Sequence, residues 1–250
     1  MVSLFVAGAV GGLVLVQRLV PIERRLEQND VAGFIYAVLG VSYAVLLGLM
    51  LVAVWQDWEA AQASATQEAN DLAAVFWLAH GLPQPEGRHI QELARDYAQV
   101  EVHKEWPLMR GGKSSPKPYE LLDGMKASVE AIHPTNEAQA ALYNNELERL
   151  QELGDARRAR LLEAEQGLPA ILWAVLLVGG VITVGFTYLF GLRSTVVHVL
   201  MVAALALVIG LVLFTVAALD FPFRGAVRIG PEAFKQVLGR FESSKLSDLR

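Results

Sequence analysis

The chain has 250 residues, is 54% hydrophobic and 19% charged, and carries a net charge of −5 with a mean hydropathy of +0.37. That is too apolar for an ordinary soluble domain, and a charged region that is acidic excludes a general nucleic-acid binder. There is no cysteine, which rules out disulfides, thiolate catalysis and cysteine-held metals.

Residues 1–17 carry no charge. They predict a first membrane span over about residues 2–20, with Arg18 free to snorkel to the interface. The run lacks the basic start and the cleavage site of a signal peptide. The charged link "PIERRLEQND" follows. Its last residue, Asp30, is placed to cap the next helix and to meet the positive end of the helix dipole. A contact at a pore mouth is the functional alternative.

Residues 31–56 are uncharged over 26 positions and predict the second span. In "VSYAVLLGLMLVAVWQDWEAAQ" the apolar helix passes into a polar one with no turn signal at the seam, so one continuous helix is expected. Trp55 and Trp58 mark the interface as aromatic belts do. At 100° per residue Gly33, Tyr36, Gly40, Tyr43, Leu47, Leu51 and Trp58 fall on one stripe, which Gln62 continues. Small residues at Gly40, Ala44 and Gly48 favour tight helix packing. The other reading of the stripe is a pore lining, with room left by the glycines and polar tips supplied by the tyrosines.

Residues 57–166 form a charged region with 19 acids and 11 Lys/Arg. It reads as an extramembrane domain, helical throughout and continuous with the second span. Ile90, Leu93, Ala94 and Tyr97 line one face of a helix, and Leu122, Met125, Val129 and Ile132 line another. "MRGGKSSPKP" is a loop by composition. Residues from "HPTNEAQ" to "LLEAE" form a long helix with a seam at Tyr143, Leu147, Leu150, Gly154, Arg157 and Leu161. The cluster Arg157, Arg158 and Arg160 precedes the third span by about ten residues. It fits lipid phosphates, or the attraction of anions toward a vestibule.

Residues 167–220 hold spans three (about 169–191) and four (about 196–219), joined by the tight turn "GLRST" as a hairpin. His198 is the one ionisable residue within a span, and such groups are functional candidates by default. Asp220 closes the fourth span against the helix dipole and needs a partner, for which Arg224 is nearby. Pro222 stops the helix. Residues 221–250 form a tail whose Phe234, Val237, Leu238 and Phe241 share a face fitted to the membrane surface or to a neighbouring subunit.

Four spans place both termini and the middle domain on one side. Lys/Arg near the span ends favour the cytoplasm for that side, eight to four, although the first span alone argues the reverse. No enzyme signature survives: "GGKSS" lacks the earlier glycine of a phosphate loop, and the histidines lack metal-ligand spacing. No catalytic residue, metal or cofactor is expected.

Taken in order, "NDVAGFIYAVLGVSYAVLLG", "VWQDWEAA", "EANDLA", "DARRARLL", "GFTYLFGLRS" and "LDFPFRG" resemble the bacterial bestrophin-like domain family over nearly the whole chain. The resemblance implies a homopentameric ion channel of the bacterial inner membrane, mostly anion-selective. Its pore would be lined by the second of four transmembrane segments, with helices extending into a cytosolic vestibule. The bestrophin neck of one apolar residue and two phenylalanines at i, i+4, i+8 is not found in the second span. Tyr36 and Tyr43 stand seven apart instead. The expectation is therefore an all-α, four-span homo-oligomeric channel in a lipid bilayer. The alternative is a non-conducting scaffold or sensor whose helical domain binds a partner protein.

Overall fold

The structure, a computed structural model, describes residues 2–26 and 29–247, with the backbone alone described for Arg24 and for residues 244–247. Among the described residues ten α-helices follow one another: α1 (Val2–Leu19), α2 (Ile22–Leu26), α3 (Asn29–Leu78), α4 (Glu86–Val100), α5 (Trp106–Arg110), α6 (Lys117–Glu130), α7 (Glu137–Glu165), α8 (Ala170–Phe186), α9 (Thr195–Leu219) and α10 (Glu232–Ser247). The described residues contain no strand. One π-turn, Glu101–Glu105, carries α4 into α5. The chain divides into two compact units, residues 1–56 with 167–220, and residues 57–166 with 221–250.

Among the described residues the first unit contains four helices long and apolar enough to cross a membrane: α1, α8, α9 and the first part of α3. With every face apolar, shape decides which faces meet. Gly12 of α1 leaves space for the Tyr188 ring, which a Cβ there would approach to 2.9 Å. Helix α9 turns His198, Val202, Ala206, Ile209, Leu213 and Val216 inward at four- and three-residue steps. Ser194 caps its start, its hydroxyl accepting from the Val197 N–H.

The second unit packs α4, α6, α7 and α10 with the later part of α3 around one core. Ala61, Ala65 and Ala69 give α3 a narrow buried face. The expected faces of α4 and α6 are buried at Ile90, Ala94, Tyr97, Leu122, Met125, Val129 and Ile132. Asn136 caps α7 by accepting from the Gln139 N–H. The tail departs from the sequence reading: Phe234, Val237 and Phe241 of α10 are buried in this unit's own core, with Phe241 stacked on Phe76 at 3.9 Å. Burial within the chain removes that apolar face from the surface it was expected to offer to a membrane or a second subunit.

Candidate functional site

Helix α3 runs unbroken for 50 residues, so the positions on each of its faces follow from the helical period. In the first unit its packed face carries Tyr43, Leu47 and Val54, all buried. The Tyr43 hydroxyl donates to the Leu176 carbonyl of α8 at 2.7 Å. Its ring lies where a Cβ on Gly179 would sit, 2.6 Å away. Tyr36 stacks on Phe186 at 5.8 Å and meets Phe190 edge-on, and Gly33 faces the same Phe190 ring. In the second unit Trp58 donates its indole N–H to the Val227 carbonyl.

The stripe read from the sequence is therefore largely the face that α3 turns into its own chain. Tyr43 and Leu47 are taken up by packing, and Gly33, Gly40, Tyr36, Leu51 and Trp58 are partly covered. The physical reason is steric. An aromatic ring in an apolar helix docks where two small residues, Gly179 and Gly180, leave a slot for it.

The opposite face is open. Phe34, Val38, Val41, Val45, Leu49 and Val52 recur at four- and three-residue steps and are all exposed, Phe34 at 76% and Val45 at 57%. Between the two faces, Gly40 and Gly48 have no atom within 4 Å of where a Cβ would stand. They are the glycines of α3 against which no described residue packs. This division is not legible in the sequence, because alternation between apolar and polar residues is missing inside a span.

The polar candidates resolve into structural roles. Asp30 is exposed in the first turn of α3, and the contact at that end is made by Asn29. The Asn29 amide donates to the Gly191 carbonyl and accepts from the Gly191 N–H, each at 2.9 Å. His198 is buried, its Nε2 at 3.0 Å from the Thr187 carbonyl and its Nδ1 at 3.3 Å from the Gln17 amide nitrogen. Because a carbonyl only accepts, Nε2 carries the proton and Nδ1 accepts from Gln17. Asp220 accepts from the Leu168 N–H at 2.6 Å and from the Trp173 indole at 3.1 Å. Arg224 is not its partner: it lies over the Phe221 ring and donates to the Ala164 carbonyl. Asp220 thus ties the end of α9 to the start of α8.

The basic cluster is corrected most. Arg157 and Arg160 are fully buried in the second unit, and only Arg158 is exposed, paired with Asp155. Three residues apart on α7, Arg157 and Arg160 share the face of Leu150, Leu153 and Gly154, which points into the core. Arg160 grips Glu68 of α3 with Nε and Nη2 and reaches Glu101 at 2.9 Å. Arg157 bonds Glu101 and, at 3.0 Å, Glu105. The Tyr97 hydroxyl donates to Glu68 at 2.6 Å. The Trp106 ring lies 4.6 Å from the Arg160 guanidinium and the Tyr119 ring 4.7 Å from that of Arg157. The sequence-based reading missed this network because acids were assumed to be solvated. The signal was present: Glu68 falls in line with Ala61, Ala65 and Leu72, a buried face.

Three carboxylates face two guanidiniums there, one acid more than the bases can pair. Burial pushes Glu101 up to about 8 against the pull of Arg160 and Arg157. Burial disfavours the charge on Arg160 too, but Glu101 and Glu68 outweigh it and hold its pKa above the usual value.

A separate acid has no such company. Glu146 of α7 is fully buried, and neither carboxylate oxygen finds a donor. Burial pushes it from 4.5 to about 8. A folded-state pKa raised above the unfolded one stabilises fully below the unfolded value, and this is lost as pH rises through the folded one. Stability is therefore expected to fall between about pH 4.5 and pH 9. Glu146→Gln should flatten that fall and stabilise the protein by on the order of 3 kcal/mol at pH 9. Thermal unfolding of both proteins at pH 5 and pH 9 checks it; an equal fall in the variant contradicts it. Among the described residues no group of three or more acids and histidines is arranged to hold a metal ion.

A family model described as the bestrophin-like domain matches residues 3–234. No curated protein matches the sequence. Two crystal structures of point variants of a bacterial bestrophin homologue from Klebsiella pneumoniae are similar in fold. One aligns with a TM-score of 0.72 at 13% identity, covering 96% of this chain and 97% of that one. The other aligns with a TM-score of 0.71 at 12% identity, covering 96% and 98%. A crystal structure described only as a membrane protein aligns at 0.72 and 12% identity, covering 96% of both chains.

Proposed function

The chain belongs to the bestrophin-like domain family, and from that premise we propose that it is a homo-oligomeric ion channel whose pore is lined by helix α3. The observation that carries this reading is the pair of opposite faces on α3. One is filled by the chain's own helices, and the other is apolar, exposed and in register from Phe34 to Val52. Four apolar helices with so few polar groups cannot enclose a water-filled path alone, so the path runs between copies. Val41, Val45 and Leu49, at i, i+4 and i+8, give a ring of apolar side chains in each turn of an assembled pore. Such constrictions gate by dewetting.

Gly40 and Gly48 admit the neighbouring subunit. Gly48→Leu should leave the subunit folded, since none of the described residues occupies that space, and should lower the oligomer mass. Light scattering in mild detergent reads the second effect and thermal unfolding the first. An unchanged oligomer contradicts the assignment of this flank.

Selectivity for anions and a pentameric ring follow from the resemblance to bestrophins. The bilayer is the bacterial inner membrane, and the second unit with both termini lies on its cytoplasmic side. No step of this function is catalytic. Purified protein in planar bilayers should give unitary currents carried by chloride. Silence across a wide range of ions and voltages would leave a non-conducting scaffold.

A further inference from the structure

Buried arginines are always charged and need an acceptor. In the second unit Arg157 and Arg160 have theirs in three carboxylates. Arg25 of α2, in the first unit, does not. Its exposure is 7%, yet its Nη1 reaches only the Phe190 carbonyl, at 3.4 Å. Its Nε is buried with no acceptor, and among the described residues no carboxylate pairs with it. With Nη1 engaged, the unused donors are those of the Nε–Nη2 edge. Two parallel N–H groups on that edge match two oxygens of one oxyanion.

The surroundings fix the backbone that the Nη1 side of the guanidinium meets. A Cβ on Gly191 would fall 2.6 Å from the Leu26 nitrogen, so the 190–191 backbone lies directly against α2. Asn29 fastens the same glycine through both its N–H and its carbonyl. The Phe190 ring is fixed edge-on against Tyr36. The position along the chain sets the depth: α2 lies between the ends of two spans, α1 and α3, where lipid phosphates are found.

We infer that Arg25 is the core of an oxyanion site that takes a phosphate group on its Nε–Nη2 edge. The phosphate comes from a lipid headgroup or from free phosphate, and the chemistry of recognition is the same. The site does not depend on the channel reading, since a scaffold with this fold would hold it equally.

The test uses the full chain, delipidated in maltoside micelles, with the melting temperature as the readout. One arm adds inorganic phosphate against sodium chloride at equal ionic strength. The other adds phosphatidylglycerol against an uncharged diacylglycerol with the same chains. A rise of about 3–5 °C in the first arm identifies a free oxyanion, and one confined to the second identifies the headgroup. Arg25→Gln should abolish the rise. Arg25→Lys, which keeps the charge and loses the two-pronged edge, should fold and need at least about tenfold more of the same additive. No rise in either arm overturns the proposal, as does a rise that survives in Arg25→Gln. Glu27, two residues on, lies outside the described residues; a rise seen in Glu27→Gln and not in the parent chain would make Glu27 the counter-ion and also overturn it.

Discussion

Arg160→Met is expected to cost the second unit about 3–5 kcal/mol, the range for breaking a buried ion pair from one side. The loss comes from the partners left behind. Glu68 loses both bonds to Nε and Nη2, and Glu101 loses one of its two guanidiniums. Tyr97, whose own ionisation burial holds far above the usual range, can offer Glu68 a hydrogen bond but no charge. Methionine fills much of the volume, which isolates the electrostatic effect from the packing one. Limited proteolysis of the second unit, followed alongside thermal unfolding, reads the change. The double variant Arg160→Met with Glu68→Gln should recover part of the loss, because it removes one stranded carboxylate. A single variant as stable as the parent would mean that the network carries no net stability.

Gly179→Leu carries the second large effect, in the first unit. The Tyr43 ring as it stands cannot coexist with a side chain there, because a Cβ on Gly179 would fall 2.6 Å from it. The ring must leave its slot and give up its bond to the Leu176 carbonyl. Overpacking of this kind costs about 1–3 kcal/mol, and the displaced hydroxyl about 1 more. The contrast with Gly48→Leu is the informative part. The two substitutions are chemically alike and both lie in membrane-spanning helices. The first should lower the melting temperature of the subunit itself, and the second should act on assembly alone. If both behave alike, the two faces of α3 are not distinct.

What could be read in the sequence follows from where polarity varies. Four charge-free runs mark the four long apolar helices, and the seam at Trp55–Trp58 announces that α3 does not stop. In α4 and α6, periodicity picked out the residues that are buried. Inside the spans the same reasoning had nothing to work on. The stripe through Tyr36 and Tyr43 follows from the helical period alone, and it is its tyrosines that α8 and the 187–190 turn absorb. A hydroxyl in an apolar helix needs an acceptor, and that was the available sign of a packed face. The arginines failed for a related reason. Composition treats charge as solvated, whereas Arg157 and Arg160 sit in line with Leu150 and Leu153 and are drawn inward with their acids. Asp220 needed a partner, as the dipole argument demanded, but found it 52 residues away in the backbone of Leu168, a distance no local reading spans.

The central claim is that the open face of α3 meets water in an assembled pore while the packed face does not. The chain has no cysteine, so single cysteines at Val41, Val45, Tyr43 and Leu47 report without background. Reconstituted protein should react with charged, water-soluble thiosulfonates at Val41 and Val45, with a change in current, and remain unreactive at Tyr43 and Leu47. Reaction at Tyr43 and Leu47 with none at Val41 and Val45 would contradict the account.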